Sequence, residues 1–224
     1  MTRYIQRHGL TARWVHGFVT ASCLMLILTG LVLFIPGAPE ALGLGTVGLS
    51  RDLHRVAAVV FMAVPLVGIA LSPRGFARFM RNVLSPWDAD DREFMRLFPR
   101  YMFACKSTHM PRQHELKSGQ RLIDIVMIGA SIVMAATGII MWVGSPSVSP
   151  GVFMWSLLLH DIGFVVIVVG LLGHAYLGLG IFQPYRGLWR LMFGNGQVSE
   201  SDALYHWGYW AEDELASGTH VVER

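Results

Sequence analysis

Cysteine is nearly absent, with only Cys23 and Cys105 in a chain of 224 residues. That scarcity excludes a disulfide framework, a Cys-x-x-Cys metal knuckle and the Cys-x-x-Cys-His motif of covalent haem attachment. Charge is scarce too. Asp, Glu, Lys and Arg make up 15% of the chain against 53% hydrophobic residues, the balance of a membrane protein of several spans rather than of a soluble domain. The net charge of +3 sorts by loop and forms no basic stripe, so no nucleic-acid partner is expected. The first apolar run lacks an Ala-x-Ala cleavage site and is too long for a secretory signal, so it reads as a retained span.

What is present is four runs long enough to cross a bilayer as helices, at about 14–35, 53–71, 121–143 and 155–180. Pro36-Gly37, Ser72-Pro73, Pro146 and Pro150 punctuate them. Trp14, Trp142, Trp155 and Trp189 fall at or just beyond their ends, where an interfacial aromatic belt belongs. Basic residues crowd three segments. The N-terminal arm has Arg3, Arg7 and Arg13; the middle loop 72–120 has Arg74, Arg78, Arg81, Arg92, Arg96, Arg100, Lys106, Arg112 and Lys117; the tail 181–224 has Arg186, Arg190 and Arg224. Segment 36–52 carries Arg51 alone among basic residues, and 144–154 carries no charge. The positive-inside rule then predicts an all-α integral membrane protein, a single domain over 1–224. It is a four-helix bundle with both termini and the middle loop in the cytoplasm. A bacterial cytoplasmic membrane is the expected location.

Within the middle loop, Phe76, Phe79, Met80 and Val83 recur at helical spacing between Arg74, Arg78 and Arg81, which predicts a short helix in the headgroup region. The tail presents His206, Trp207, Tyr209 and Trp210 beside acidic residues, for packing against the membrane or another subunit. A weak internal repeat joins Leu28-Thr29-Gly30 to Ala136-Thr137-Gly138, each followed by a span opening on Leu-His, at Leu53-His54 and Leu159-His160. The halves diverge elsewhere. Where the first has His16 and Gly68, the second has Asp124 and His174.

Four of the nine histidines lie in spans, at His16, His54, His160 and His174. Ionisable groups inside a bilayer are expensive and point to function. His160 and His174 are 14 residues apart, about 21 Å along a helix and on one face. The topology predicts an outer pair, His54 and His160, and an inner pair, His16 and His174, each drawn from two helices. Two imidazoles from facing helices suit the two axial positions of a haem iron, and a helical bundle provides the slot. Small residues are available on its walls at Gly30, Gly138, Gly163 and Gly170, and Arg13 and Arg55 are candidate partners of the propionates. Zinc would want three ligands at one point, and these four converge on two. His8, His109, His114 and His220 read as solvated loop residues, Asp124 and Asp161 as interfacial ones. The 12 methionines read as packing.

At this point the chain resembles the gamma subunit of membrane-bound formate dehydrogenase, a di-haem cytochrome b. The resemblance runs from Arg13-Trp14-Val15-His16 through Ser156-Leu157-Leu158-Leu159-His160 to Gly173-His174-Ala175-Tyr176, with a fainter echo at Tyr205-His206-Trp207. It implies two haem b groups, the outer on His54 and His160 and the inner on His16 and His174. It also implies an iron–sulfur subunit and a catalytic formate dehydrogenase subunit as partners, and a higher oligomer of that complex is compatible with it. Electrons would pass to menaquinone or ubiquinone beside the inner haem. The matching stretch is Lys117-Ser118-Gly119-Gln120-Arg121; Gly119 and Gln120 fit the family's pattern, whereas Lys117 stands where asparagine is expected. His174 would reach the quinone through its haem. The bland alternative for this stretch is a helix cap. Two other readings stay open: the cytochrome b subunit of a nickel–iron hydrogenase or other periplasmic oxidoreductase, and a proton-coupled transporter using intramembrane histidines.

Overall fold

The computed structural model describes residues 2–43, 47–103, 108–181 and 184–223. Cys105, Lys106 and Arg224 lie outside the described residues. Among the described residues four helices are long and apolar enough to cross a membrane: α1 (Leu10–Phe34), α3 (Val47–Leu71), α6 (Ser118–Ile139, prolonged by a π turn, Ile140–Gly144) and α7 (Pro150–Gly178). A short α2 (Ala38–Ala41) follows α1. Each long helix begins several residues before its apolar run. Leu10–Arg13, Val47–Asp52, Ser118–Gln120 and Pro150–Met154 wind as helix but lower the average hydropathy or stand beyond the apolar stretch. Pro150 occupies the first helical position, where its missing N–H costs nothing.

The outward faces of these helices are apolar. Leu66, Val143, Val169 and Leu172 are each more than 60% exposed, an arrangement that water penalises and lipid does not. Ser22, Thr29, Thr137 and Ser156 are buried and donate their hydroxyl hydrogen bonds to carbonyls one turn earlier, so these four hydroxyls are satisfied within their own helices. Trp14, Trp142, Trp155 and Trp189 are exposed, as an aromatic belt requires.

The chain separates into two compact units, Met1–Arg13 with Arg74–Gly129 and Val169–Arg224, and Trp14–Pro73 with Ala130–Val168. The first contains everything that is not membrane helix beyond the short connections. Helix α4 (Pro73–Val83) is the amphipathic segment expected from the Phe–Arg pattern, and α5 (Ala89–Phe103) follows it. The tail folds as α8 (Arg190–Phe193), α9 (Glu200–His206) and α10 (Gly208–Ser217). The all-α expectation misses one feature here. Strands β1 (Arg3–Gln6), β2 (Gln197–Ser199) and β3 (Val221–Glu223) form an antiparallel sheet in the order β2-β1-β3, pairing Tyr4 with Ser199 and with Val222. The arm and tail together bury Ile5, Leu191, Val198, Ala203, Trp207, Trp210 and Ala211 as a small core, so the tail's aromatic cluster packs on this chain's own arm. Gly180 turns the chain out of α7 at φ 58°, and a Cβ there would collide with the Tyr185 carbonyl oxygen and stand 2.8 Å from the Leu188 nitrogen.

Candidate functional site

In the unit of Trp14–Pro73 and Ala130–Val168, α3 and α7 bring two histidines together, and α1 and α6 each set a threonine against one of them. His54 comes from α3 and His160 from α7, and their ring centres lie 6.4 Å apart with planes at 60°. Thr29 of α1 stands 2.9 Å from His54 Nδ1, and Thr137 of α6 stands 2.9 Å from His160 Nδ1. Each threonine hydroxyl also lies 2.7 Å from a carbonyl four residues back, on Met25 and Val133. A carbonyl only accepts, so the threonine proton goes there and the threonine oxygen accepts from the ring. The Leu26 and Met134 carbonyls also accept from the His54 and His160 rings, so the hydrogen-bond network assigns Nδ1–H to both histidines and leaves the Nε2 lone pairs for another partner.

The glycines that follow the threonines complete each half. A Cβ on Gly30 would sit 3.6 Å from His54 Cε1, and one on Gly138 would sit 3.5 Å from His160 Cε1. Both leave a methyl-sized space beside an imidazole edge. The repeat read as Thr-Gly followed by Leu-His is thus one half-site built twice. Sequence reading noted the repeat and missed the threonines' role, because the bonds span 25 and 23 residues between helices.

A flat macrocycle with an axially ligated metal fits these residues. A metal–imidazole bond of about 2.0–2.1 Å, with the ring centre about 1.1 Å further on, separates two axial rings on one metal by about 6.2–6.4 Å. The donor set is right as well: two imidazoles with free Nε2, uncharged partners behind them, and bare glycine backbone beside them. Among the described residues no group of three or more His, Cys, Asp or Glu stands ready to hold a metal ion without such a macrocycle.

Other predicted residues fall differently. Gly163 receives the Met134 sulfur, which would stand 2.7 Å from an added Cβ, and Gly170 receives that of Met127 at 2.6 Å. These two glycines serve the packing of α6 on α7, so their expected role as cofactor walls gives way to helix contact. Gly68 packs against Val15, whose Cγ2 would stand 2.6 Å from a Cβ. Arg55 pairs with Asp52 at 3.6 Å, lies over the Trp142 ring at 5.4 Å and shares an open cleft with Val56, Val59 and Val60. His16 has Thr20 Oγ1 at 3.5 Å, one turn along α1. His174 belongs to the other unit, where a Cβ on Gly178 would stand 3.9 Å from its Nε2.

In that other unit the stretch 117–121 is mostly tied into structure. Ser118 Oγ donates to Asp91 Oδ1 at 2.9 Å, and the Gln113 amide oxygen accepts from the Ser118 backbone N–H at 3.0 Å. Arg121, 1% exposed, pairs with Asp91, also 1% exposed, at 2.8 Å, and donates to the Ser85 carbonyl. Lys117 donates to His206 Nδ1 at 2.8 Å, while His206 donates from Nε2 to the Pro184 carbonyl at 3.1 Å. Tyr185 stacks on His206 at 5.0 Å, and the Lys117 ammonium lies 4.5 Å from the Tyr185 ring centre. Burial pushes Lys117 well below the usual lysine range, with the Arg7 charge adding to the effect. Burial and the Lys117 charge together pull His206 down to about 3. Gly119 faces Phe94 and Met95, each 3.8 Å from where a Cβ would lie. The Gln120 side chain is the hydrogen-bonding neighbour of Asp124, whose Oδ2 is otherwise buried without a partner. Arg13 donates to the Gly194 carbonyl and keeps a buried, unpartnered Nε. Of the histidines expected to be solvated, His114 reaches Asp88 at 2.8 Å and His220 reaches Glu214 at 2.6 Å.

Comparison with curated proteins finds none that matches. A sequence model described as prokaryotic cytochrome b561 matches residues 7–195, which take in all four membrane helices and all four membrane histidines. Membership brings haem b, electron transfer and a multi-pass place in the bacterial inner membrane, in agreement with the four apolar helices. The chain belongs to the prokaryotic cytochrome b561 family.

Proposed function

We propose that this protein is the quinone-reactive di-haem cytochrome b subunit of a membrane-bound formate dehydrogenase, taking electrons from an iron–sulfur subunit outside and delivering them to quinone inside. The observation that carries the reading is the outer constellation, two histidines at axial spacing whose Nε2 atoms are freed by matched threonines. His54 and His160 hold the outer haem; His16 and His174 hold the inner one, by the order and spacing shared with the gamma subunit. The haems supply one-electron chemistry, and the protein supplies position and surroundings. Arg55 follows His54 directly and Arg13 retains an unpartnered donor, so both are available to propionates. Gly119 and Gln120 open α6 and form the quinone site beside His174. Lys117 is engaged with His206, so it acts on the quinone through its field. Substrate oxidation belongs to the partner subunit. Electrons entering outside and protons taken up inside make turnover electrogenic.

Membranes containing the complex test the reading. Formate should reduce two b-type haems per chain, and added menaquinone or ubiquinone should reoxidise them. Reduction by hydrogen and not by formate would assign the chain to a hydrogenase instead. Haems that neither donor reduces would remove both assignments.

A further inference from the structure

The outer site contains two hydroxyls that membrane packing alone does not demand. Thr29 and Thr137 are 6% and 5% exposed, sit at matching places in the repeat, and make the same pair of bonds at the same lengths. Valine has nearly the same shape and would fill the same volume without a polar atom to satisfy. A threonine that gives its proton to a helix carbonyl polarises its own oxygen, which then attracts the ring proton more strongly. Withdrawing the Nδ1 proton makes Nε2 a more basic ligand, and a more basic ligand favours the oxidised metal.

On the reading that His54 and His160 are the outer axial ligands, we infer that Thr29 and Thr137 are positioning residues that lower the potential of the outer haem. Each holds its imidazole in the Nδ1–H form and draws on that proton. The device is doubled, one threonine per axial ring, so the metal feels both. It also fixes where each ring points before any haem arrives, because the tautomer and the hydrogen bond exist in the polypeptide itself. No charge is introduced into the span to achieve this.

The test uses the full-length membrane protein as Thr29→Val, Thr137→Val, the double variant and Thr29→Ser. Optical redox titration should show one haem shifted to higher potential in each valine variant, further in the double, and returned toward wild type in the serine variant. The other haem should not move. Nitrogen-15 spectra of histidine-labelled haem-free protein should show the Nδ1–H form at His54 and His160, and a mixed tautomer population at His54 in Thr29→Val. A merely structural role would alter stability and leave both readings in place. Unmoved potentials in valine variants that keep two haems would overturn the inference. If a valine variant loses a haem, the tautomer spectra decide, and an unchanged Nδ1–H population in Thr29→Val overturns it. Failure of the ligand reading looks different, since His54→Ala would then keep both haems whatever the threonines do.

Discussion

His160 of α7 donates a hydrogen bond from Nδ1 to a threonine oxygen, whereas His206 of α9 donates from Nε2 to the Pro184 carbonyl and accepts a hydrogen bond from Lys117 at Nδ1. The same side chain is thus held in opposite tautomers in two regions of one molecule. At the outer site the ring keeps its Nε2 for another partner, beside Thr137, Gly138 and a second histidine, with the Asp161 carboxylate next along α7 acting on it. In the unit that holds the arm and tail both nitrogens of His206 are spent, and the ring is packed between Tyr185, Tyr205 and Trp207. Burial of a histidine therefore says little about its chemistry; the partner of each nitrogen says nearly all of it. The second contrast is in charge. At the outer site the charges, Asp161 and Arg55, flank the ligand histidines without being buried pairs, while the unit of arm, middle loop and tail buries Arg121, Asp91 and Lys117 and must satisfy each one.

The charged region is the easier one to break. Asp91→Ala leaves Arg121 buried without its carboxylate, and removing one partner of a buried pair costs about 3–5 kcal/mol. Thermal unfolding in detergent should fall steeply, and no comparable loss should follow any single neutral substitution at the outer site.

Acidification separates the regions next. His206 titrates near 6.5 when unfolded and about 3 when folded, so between these values the unfolded chain binds the extra proton. Stability contributed by His206 is full above pH 6.5 and is lost as the pH falls toward 3. The neighbouring charges act in the same sense. Lys117 and Arg7 are held below their ordinary values by burial, Arg7 at about 9, so the unfolded chain also binds more protons at alkaline pH. Tyr185 is pushed up to about 12 by burial and stays uncharged throughout. Unfolding midpoints measured from pH 7 to pH 4 should decline. His206→Gln, which keeps an acceptor for Lys117 but cannot titrate, should flatten that decline.

The smallest effect on stability belongs to the apolar site. Gly138→Ala meets only an ordinary contact, His160 Cε1 at 3.5 Å, and alanine gains about 0.5–1 kcal/mol over glycine in a helix interior. The haem-free protein should therefore be no less stable, while the fraction retaining the outer haem falls. A variant that keeps full haem content would show that the space beside His160 serves packing alone.

How much of this could be read in advance differs between the two regions for a physical reason. Four apolar runs announce four spans because a bilayer imposes length and composition on contiguous residues. The depth of each histidine follows from the arginines around it. The outer pair could thus be proposed from His54 and His160 without knowing which atoms hold them. The unit of arm, middle loop and tail has no such local signal. Tyr4 pairs with Ser199 and Val222 across nearly the whole chain, in strands of three or four residues. Lys117 meets His206 from 89 residues away, and nothing near either residue indicates the other. The stretch 117–121, chosen for its likeness to a quinone site, contains Ser118 and Arg121, which the structure ties to Asp91. Gly119 and Gln120, the two left for the proposed quinone site, lie against Phe94 and Met95 and beside Asp124. Thr29 and Thr137 lay in plain view within a repeat, and only the distance to each Nδ1 gives them a task.

The most direct measurement is the haem-to-protein ratio of purified His54→Ala with its redox spectrum. The proposal of two separate haem sites predicts that the ratio falls from two haems to one while circular dichroism stays unchanged. Two haems retained, or both lost from a protein with an intact helical spectrum, would contradict the assignment of His54 and His160 to a haem of their own.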